Sequence, residues 1–115
     1  MSAGDRCARY DGQLPVAIVR WVENYQPGIV EISLLDRFGH DWRLTEKVPM
    51  VTNADLDEGS SYPQPGYVAC RILTKGIDAG GRAVAIVEID FAGDQPDTFE
   101  VFADRIEPLT ENGGA

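Results

Sequence analysis

Val30, Ile32 and Leu34 alternate with Ile29, Glu31 and Ser33, and no helical period longer than a turn or two occurs anywhere in the chain. A period of two belongs to a strand that buries one face, so this pattern commits the chain to β-structure. The stretch Gln26-Pro27-Gly28 that precedes it returns as Gln64-Pro65-Gly66, again followed by alternation that ends in leucine. Each copy runs into an Asp-x-x-Gly turn, Asp36-Arg37-Phe38-Gly39 and Asp78-Ala79-Gly80-Gly81. Each turn leads to a further strand, with Trp42 and Leu44 answered by Val84 and Ile86. A β-hairpin used twice accounts for the pattern.

The expected fold is all-β: a small six-stranded barrel or rolled antiparallel sheet, of the kind that a duplicated β-hairpin would build. Its strands fall near 15–23, 28–35, 40–48, 67–74, 82–91 and 98–103. The core drawn from the inward phases comprises Ile18, Val30, Ile32, Leu34, Trp42, Leu44, Val68, Cys70, Ile72, Ile86 and Phe99. Residues 1–14 read as a flexible N-terminal arm, 15–109 as a single β domain and 110–115 as a disordered tail. Segment 53–65 carries acids, glycine, serines and two prolines, with room for one helical turn at Ala54–Glu58 capped by Asn53. A loop of that length in a small domain is a candidate for function.

Charge limits the partners. The chain carries a formal −9, and residues 86–115 hold eight acids against Arg105 alone. Such a surface repels phosphate, which disfavours nucleic acid and anionic membranes and favours a basic protein. No apolar run approaches the roughly 20 residues needed to span a bilayer. The N-terminus lacks an apolar signal core, so the cytoplasm is the expected location. There Cys7 and Cys70, far apart in sequence, would stay reduced.

Catalytic constellations are sparse. His40 is the only histidine, and its neighbour Asp41 points the other way on a strand. Asp55, Asp57 and Glu58 lack the ligand spacing of a calcium loop. There is no phosphate-cradling glycine loop, no nucleophile elbow and no Cys-x-x-Cys pair, so no metal or cofactor is expected. One carboxylate pair, Glu46 and Glu88, holds matching places in the two hairpins and offers a hydrolase alternative. Aromatic residues give the better lead. Tyr25 and Tyr62 each precede a repeated strand, with Trp21 and Tyr67 nearby, and tyrosine and tryptophan are favoured contact residues. In a small barrel, though, the same residues more often plug the open ends.

The combination of Glu46-Lys47-Val48-Pro49, Ser61-Tyr62-Pro63-Gln64-Pro65-Gly66 and Phe99-Glu100-Val101-Phe102 resembles a group of small bacterial proteins. These share Lys-(Val/Leu)-Pro, Tyr-Pro-x-Pro-Gly and a Phe-Glu-Val-Phe-like strand. The likeness spans residues 16–106 and implies a standalone bacterial domain, with no established activity attached. An acidic single-domain protein of this kind also looks like an immunity protein that neutralises a basic toxin. The expected function is therefore a non-enzymatic acidic binding module for a protein partner. The residues singled out for contact are Tyr25, Tyr62, Asp55, Asp57, Glu58 and Glu100.

Overall fold

Six strands follow one another along the chain: β1 (Gly12–Glu23), β2 (Ile29–Leu35), β3 (Asp41–Lys47), β4 (Gln64–Ile77), β5 (Ala83–Glu88) and β6 (Thr98–Phe102). They come from a computed structural model that describes residues 10–25, 27–91 and 93–109. Every paired neighbour is antiparallel, in the order β3-β2-β1-β4-β5-β6. The described residues contain no helix beyond two single 3-10 turns, Val48–Met50 and Ala103–Arg105. The protein is the all-β rolled antiparallel sheet that the alternation implied.

The sheet curls because its two longest strands change partners midway. β1 pairs with β4 over Gly12 to Ile18 and with β2 from Ala17 to Glu23. β4 gives Gln64 to Cys70 to β1 and Arg71 to Ile77 to β5. Pro15 and Pro65 sit in strands without breaking this ladder. Tyr67 N–H points away from β1 to Val51 C=O (2.8 Å), and Gln13 N–H points away from β4 to Glu107 C=O (2.9 Å). By the alternation of antiparallel pairs, positions 13, 15, 65, 67 and 69 all turn their main-chain groups outward. A proline there removes no rung.

Bonds at the seam bring the sheet round on itself. Glu107 forms an isolated bridge with Gln13, on the side of β1 away from β4. Arg37 N–H, in the β2–β3 turn, donates to Glu100 C=O on β6 (2.9 Å). Trp42, Phe99 and Phe91 stack edge to face across the remaining gap, with centroids 5.6 and 6.1 Å apart. The two Asp-x-x-Gly turns are built alike. In each, the aspartate carboxylate accepts the N–H groups two and four residues on, and the glycine holds a positive φ (82° at Gly39, 87° at Gly81). The Gln-Pro-Gly segments are not alike: Pro27 and Gly28 precede β2, whereas Gln64-Pro65-Gly66 lies inside β4, and Gln26 falls outside the described residues.

Ile18, Val30, Ile32, Leu34, Leu44, Val68, Cys70 and Phe99 are buried in the core, and Trp42 and Ile72 pack partly buried against it. Ile86 does not belong there and is 37% exposed. β5 is apolar on both faces. Pairing of Val87 with Ile72 turns Ala85, Val87 and Ile89 inward and leaves Ile86 outside. β1 also begins earlier than expected, at Gly12, because the bridge to Glu107 and burial of Leu14 (2% exposed) order that end. Of the expected N-terminal arm, residues 1–9 lie outside the described residues, as do Cys7 and the tail 110–115. No helical turn forms at 54–58. Thr52 Oγ1, not Asn53, accepts the Ala54 N–H, and Asp57 closes a tight turn on Gly59 and Ser60 instead.

Candidate functional site

Between β3 and β4 the chain runs as a strap bonded to the residue before β2 and to the edge of β4, and a groove opens on each side of it. The strap is pinned at both ends of its 3-10 turn. Val48 N–H donates to Gly28 C=O (3.0 Å), and Val51 C=O accepts from Tyr67 (2.8 Å). Val48 and Val51 are buried, which leaves Pro49 and Met50 as an exposed ridge.

The first groove, about 330 Å³, lies between this ridge, the β1–β2 turn and the 55–57 loop. Trp21, Tyr25, Pro27, Pro49 and Leu56 give it an apolar lining, and Asp55 and Asp57 stand in the same wall. None of its lining residues is basic. Trp21 lies over Gly28, and its indole N–H donates to Asn24 Oδ1 (2.7 Å), which fixes the ring. Tyr25 is 61% exposed, and a hydrogen bond to the Glu23 carboxylate raises its phenol pKa. The second groove, about 440 Å³, lies on the other side of Pro49, against the outer faces of β1 and β4. Met50, Val51, Pro65, Tyr67 and Ala69 line it, with no carboxylate and no basic side chain.

The contact residues expected from sequence are thus divided. Tyr25, Asp55 and Asp57 come together in the first groove, and Glu58 is exposed on the neighbouring turn. Tyr62 is a plug instead. It is half-buried against the core, and its hydroxyl donates to Asp57 C=O (2.7 Å), so it holds the loop in place. Glu100 lies elsewhere, on β6, bound by Arg37 Nε at 2.6 Å. The roles of Pro49 and Leu56 as groove walls were not visible in sequence, because they depend on where the strap crosses the sheet.

Folding also redistributes the charge. Four acids of the last third are drawn into ion pairs with arginines from earlier in the chain. Arg71 holds Glu88 (3.1 Å) and Asp90, Arg37 holds Glu100, and Arg82 reaches Asp104 (3.4 Å). Arg71, followed by the Tyr10 hydroxyl, keeps the Asp90 carboxyl below its ordinary pKa. None of the described ion pairs engages Asp55, Asp57 or Glu58.

Glu46 and Glu88 are not brought together. Glu46 lies on the buried phase of β3, where burial raises its pKa and the Lys47 N–H partly offsets that rise. Glu88 shares the outer phase of β5 with Ile86 and is held by Arg71. The two carboxylates therefore occupy opposite faces of the sheet. His40 is exposed, with its ring 4.4 Å from that of Trp42. Burial, followed by the charge of Asp11, pushes the Cys70 thiol up to about 11, which makes it a buried apolar group and not a nucleophile. Among the described residues, no three of His, Cys, Asp and Glu are grouped to hold a metal ion, and no helix is long and apolar enough to cross a membrane. Comparison with protein-family models, curated proteins and solved structures finds no match to this chain.

Proposed function

We propose that this chain is a non-enzymatic binding module that engages a basic protein partner through the groove between the β1–β2 turn and the 55–57 loop. The supporting observation is the contrast in how the acids are used. Half of the acids in the last third, Glu88, Asp90, Glu100 and Asp104, are matched by Arg37, Arg71 and Arg82, whereas Asp55 and Asp57 stand beside aromatic surface with no such match. Exposed charge gives orientation and association rate, and aromatic surface that loses water on contact supplies affinity. The groove holds both. Neutralising a basic toxin is the sharpest case of this class and would use the same surface.

The test is capture of basic protein from the native cell at low ionic strength, comparing the parent with a Tyr25→Ala/Asp55→Lys variant. Asp94→Lys, which reverses an exposed acid of the β5–β6 loop, controls for net charge. The reading predicts a protein retained by the parent and by Asp94→Lys and lost from the groove variant. Equal loss from both variants would reduce the effect to bulk charge, and equal retention by both would remove the groove from consideration.

A further inference from the structure

We infer that the partner presents an extended segment that crosses the Pro49 ridge, with a lysine or arginine side chain in the first groove and an apolar side chain in the second. This rests on the binding reading above and specifies what is bound. Pro49 lines both grooves, so they form one track interrupted by a single ridge. Their chemistries differ sharply. On one side a cation would meet the Trp21 and Tyr25 rings together with Asp55 and Asp57, which combines ring attraction with charge. On the other side, Met50, Pro65 and Tyr67 offer apolar surface with no carboxylate to receive a charge. Exposed methionine adapts its shape to the side chain it covers. The hydrogen bonds from Val48 to Gly28 and from Tyr67 to Val51 hold the ridge in place before any ligand arrives. Two separate pockets along one line suit alternate side chains of an extended backbone, as in other peptide-binding domains.

The probes are short synthetic peptides that place one arginine and one leucine at varied spacing among glycine, serine and proline. Binding to the isotope-labelled full chain is followed by amide shifts and by fluorescence anisotropy. At the right spacing, shifts should appear around both grooves, at 21–28 with 55–57 and at 49–54 with 65–69. Changing the leucine to serine should silence the second set and leave the first, weakening binding at least about fivefold. Changing the arginine to serine should do the converse. Asp55→Asn and Met50→Ser, both at exposed positions, should reproduce these two losses without unfolding the protein. If only the first groove responds to every peptide, the two-site track is wrong and the basic-partner reading stands. If neither groove responds while the basic protein is still captured through Tyr25 and Asp55, the partner is recognised as a folded surface and the extended-segment inference is overturned. If capture fails as well, both readings fall.

Discussion

Gln95 supplies to Thr45 the two bonds that a neighbouring strand would supply. Its carboxamide oxygen accepts the Thr45 N–H at 2.8 Å, and its carboxamide nitrogen donates to the Thr45 C=O at 3.1 Å. Thr45 belongs to β3, the outermost strand on one side of the sheet, and Gln95 to the loop before β6, the outermost on the other. One side chain therefore blocks an edge that would otherwise be open to strand addition. Next along that edge, the Lys47 N–H is taken by the Glu46 carboxylate. Gln95→Ala is expected to lower stability by about 1–3 kcal/mol, because two partly buried main-chain groups lose their partners. Urea unfolding measures this. Gln95→Glu should recover little, since a carboxylate cannot donate to Thr45 C=O.

The two turn aspartates predict a shared acid sensitivity. At Asp36, burial works to raise the pKa, but hydrogen bonds from Trp42 Nε1–H and the His40 and Phe38 N–H groups outweigh it and hold the carboxyl below its ordinary value of 3.8. At Asp78, the Arg82 N–H leads, burial opposes, and the Gly80 N–H and the Arg37 charge add to the lowering. A depressed folded pKa stabilises above the unfolded value and loses that stabilisation as pH falls through the folded one. Both contributions are thus complete above about pH 4 and lost below it. Asp36→Ala should cost about 2–3 kcal/mol because it also frees the Trp42 indole N–H. Asp78→Ala should cost less. Thermal melts of each variant between pH 2 and 7 check both the ranking and the loss of the acid-sensitive step.

Much of this architecture was legible in the sequence wherever one strand face is polar. β2 declares its inner side through Val30, Ile32 and Leu34 against Glu31 and Ser33, and the twin turns announce themselves by their aspartates and glycines. β5 declares nothing, because Ala85, Val87 and Ile89 compete with Val84 and Ile86, and only its pairing with β4 settles the matter. The matching of Glu46 with Glu88 fell with that phase. Tyr25, Asp55 and Asp57 were chosen for residue type and loop position, and the strap then brought them together. Tyr62, chosen on the same grounds, packs partly buried against the core and donates to Asp57 C=O. No local pattern distinguishes these outcomes, since the strap, the seam at Gln95 and the arginine pairs are contacts between residues far apart in the chain.

Glu46 carries the opposite pH dependence to the turn aspartates. Burial, its main perturbation, raises its pKa above the ordinary 4.5, so its charge opposes folding at neutral pH. Glu46→Gln keeps an oxygen for the Lys47 N–H and removes the charge. The variant should be more stable than the parent at pH 7. The gap should narrow as pH falls and close only below pH 4.5, where the parent residue is protonated in both states. A variant less stable than the parent at pH 7 would show that the buried carboxylate contributes more as an ion than its burial costs.

Trp21 and Gly28 predict a pairwise effect confined to the first groove. A Cβ built on Gly28 would lie 1.9 Å from Trp21 Cη2 and under 3 Å from two further ring atoms, so Gly28→Ala must displace the whole indole. The glycine φ lies outside the left-handed region, so alanine meets no backbone strain and the effect is one of crowding. The displaced ring should lose its bond to Asn24, and the variant should lose about 1–3 kcal/mol. In isotope-edited spectra the Trp21 indole N–H should move while that of Trp42, held by Asp36, stays in place. The double-mutant cycle decides the cause. Once Trp21→Ala has removed the ring, Gly28→Ala should cost almost nothing. A cost that survives in the Trp21→Ala background would mean that the glycine is required by some other neighbour, and that the ring is not seated on it.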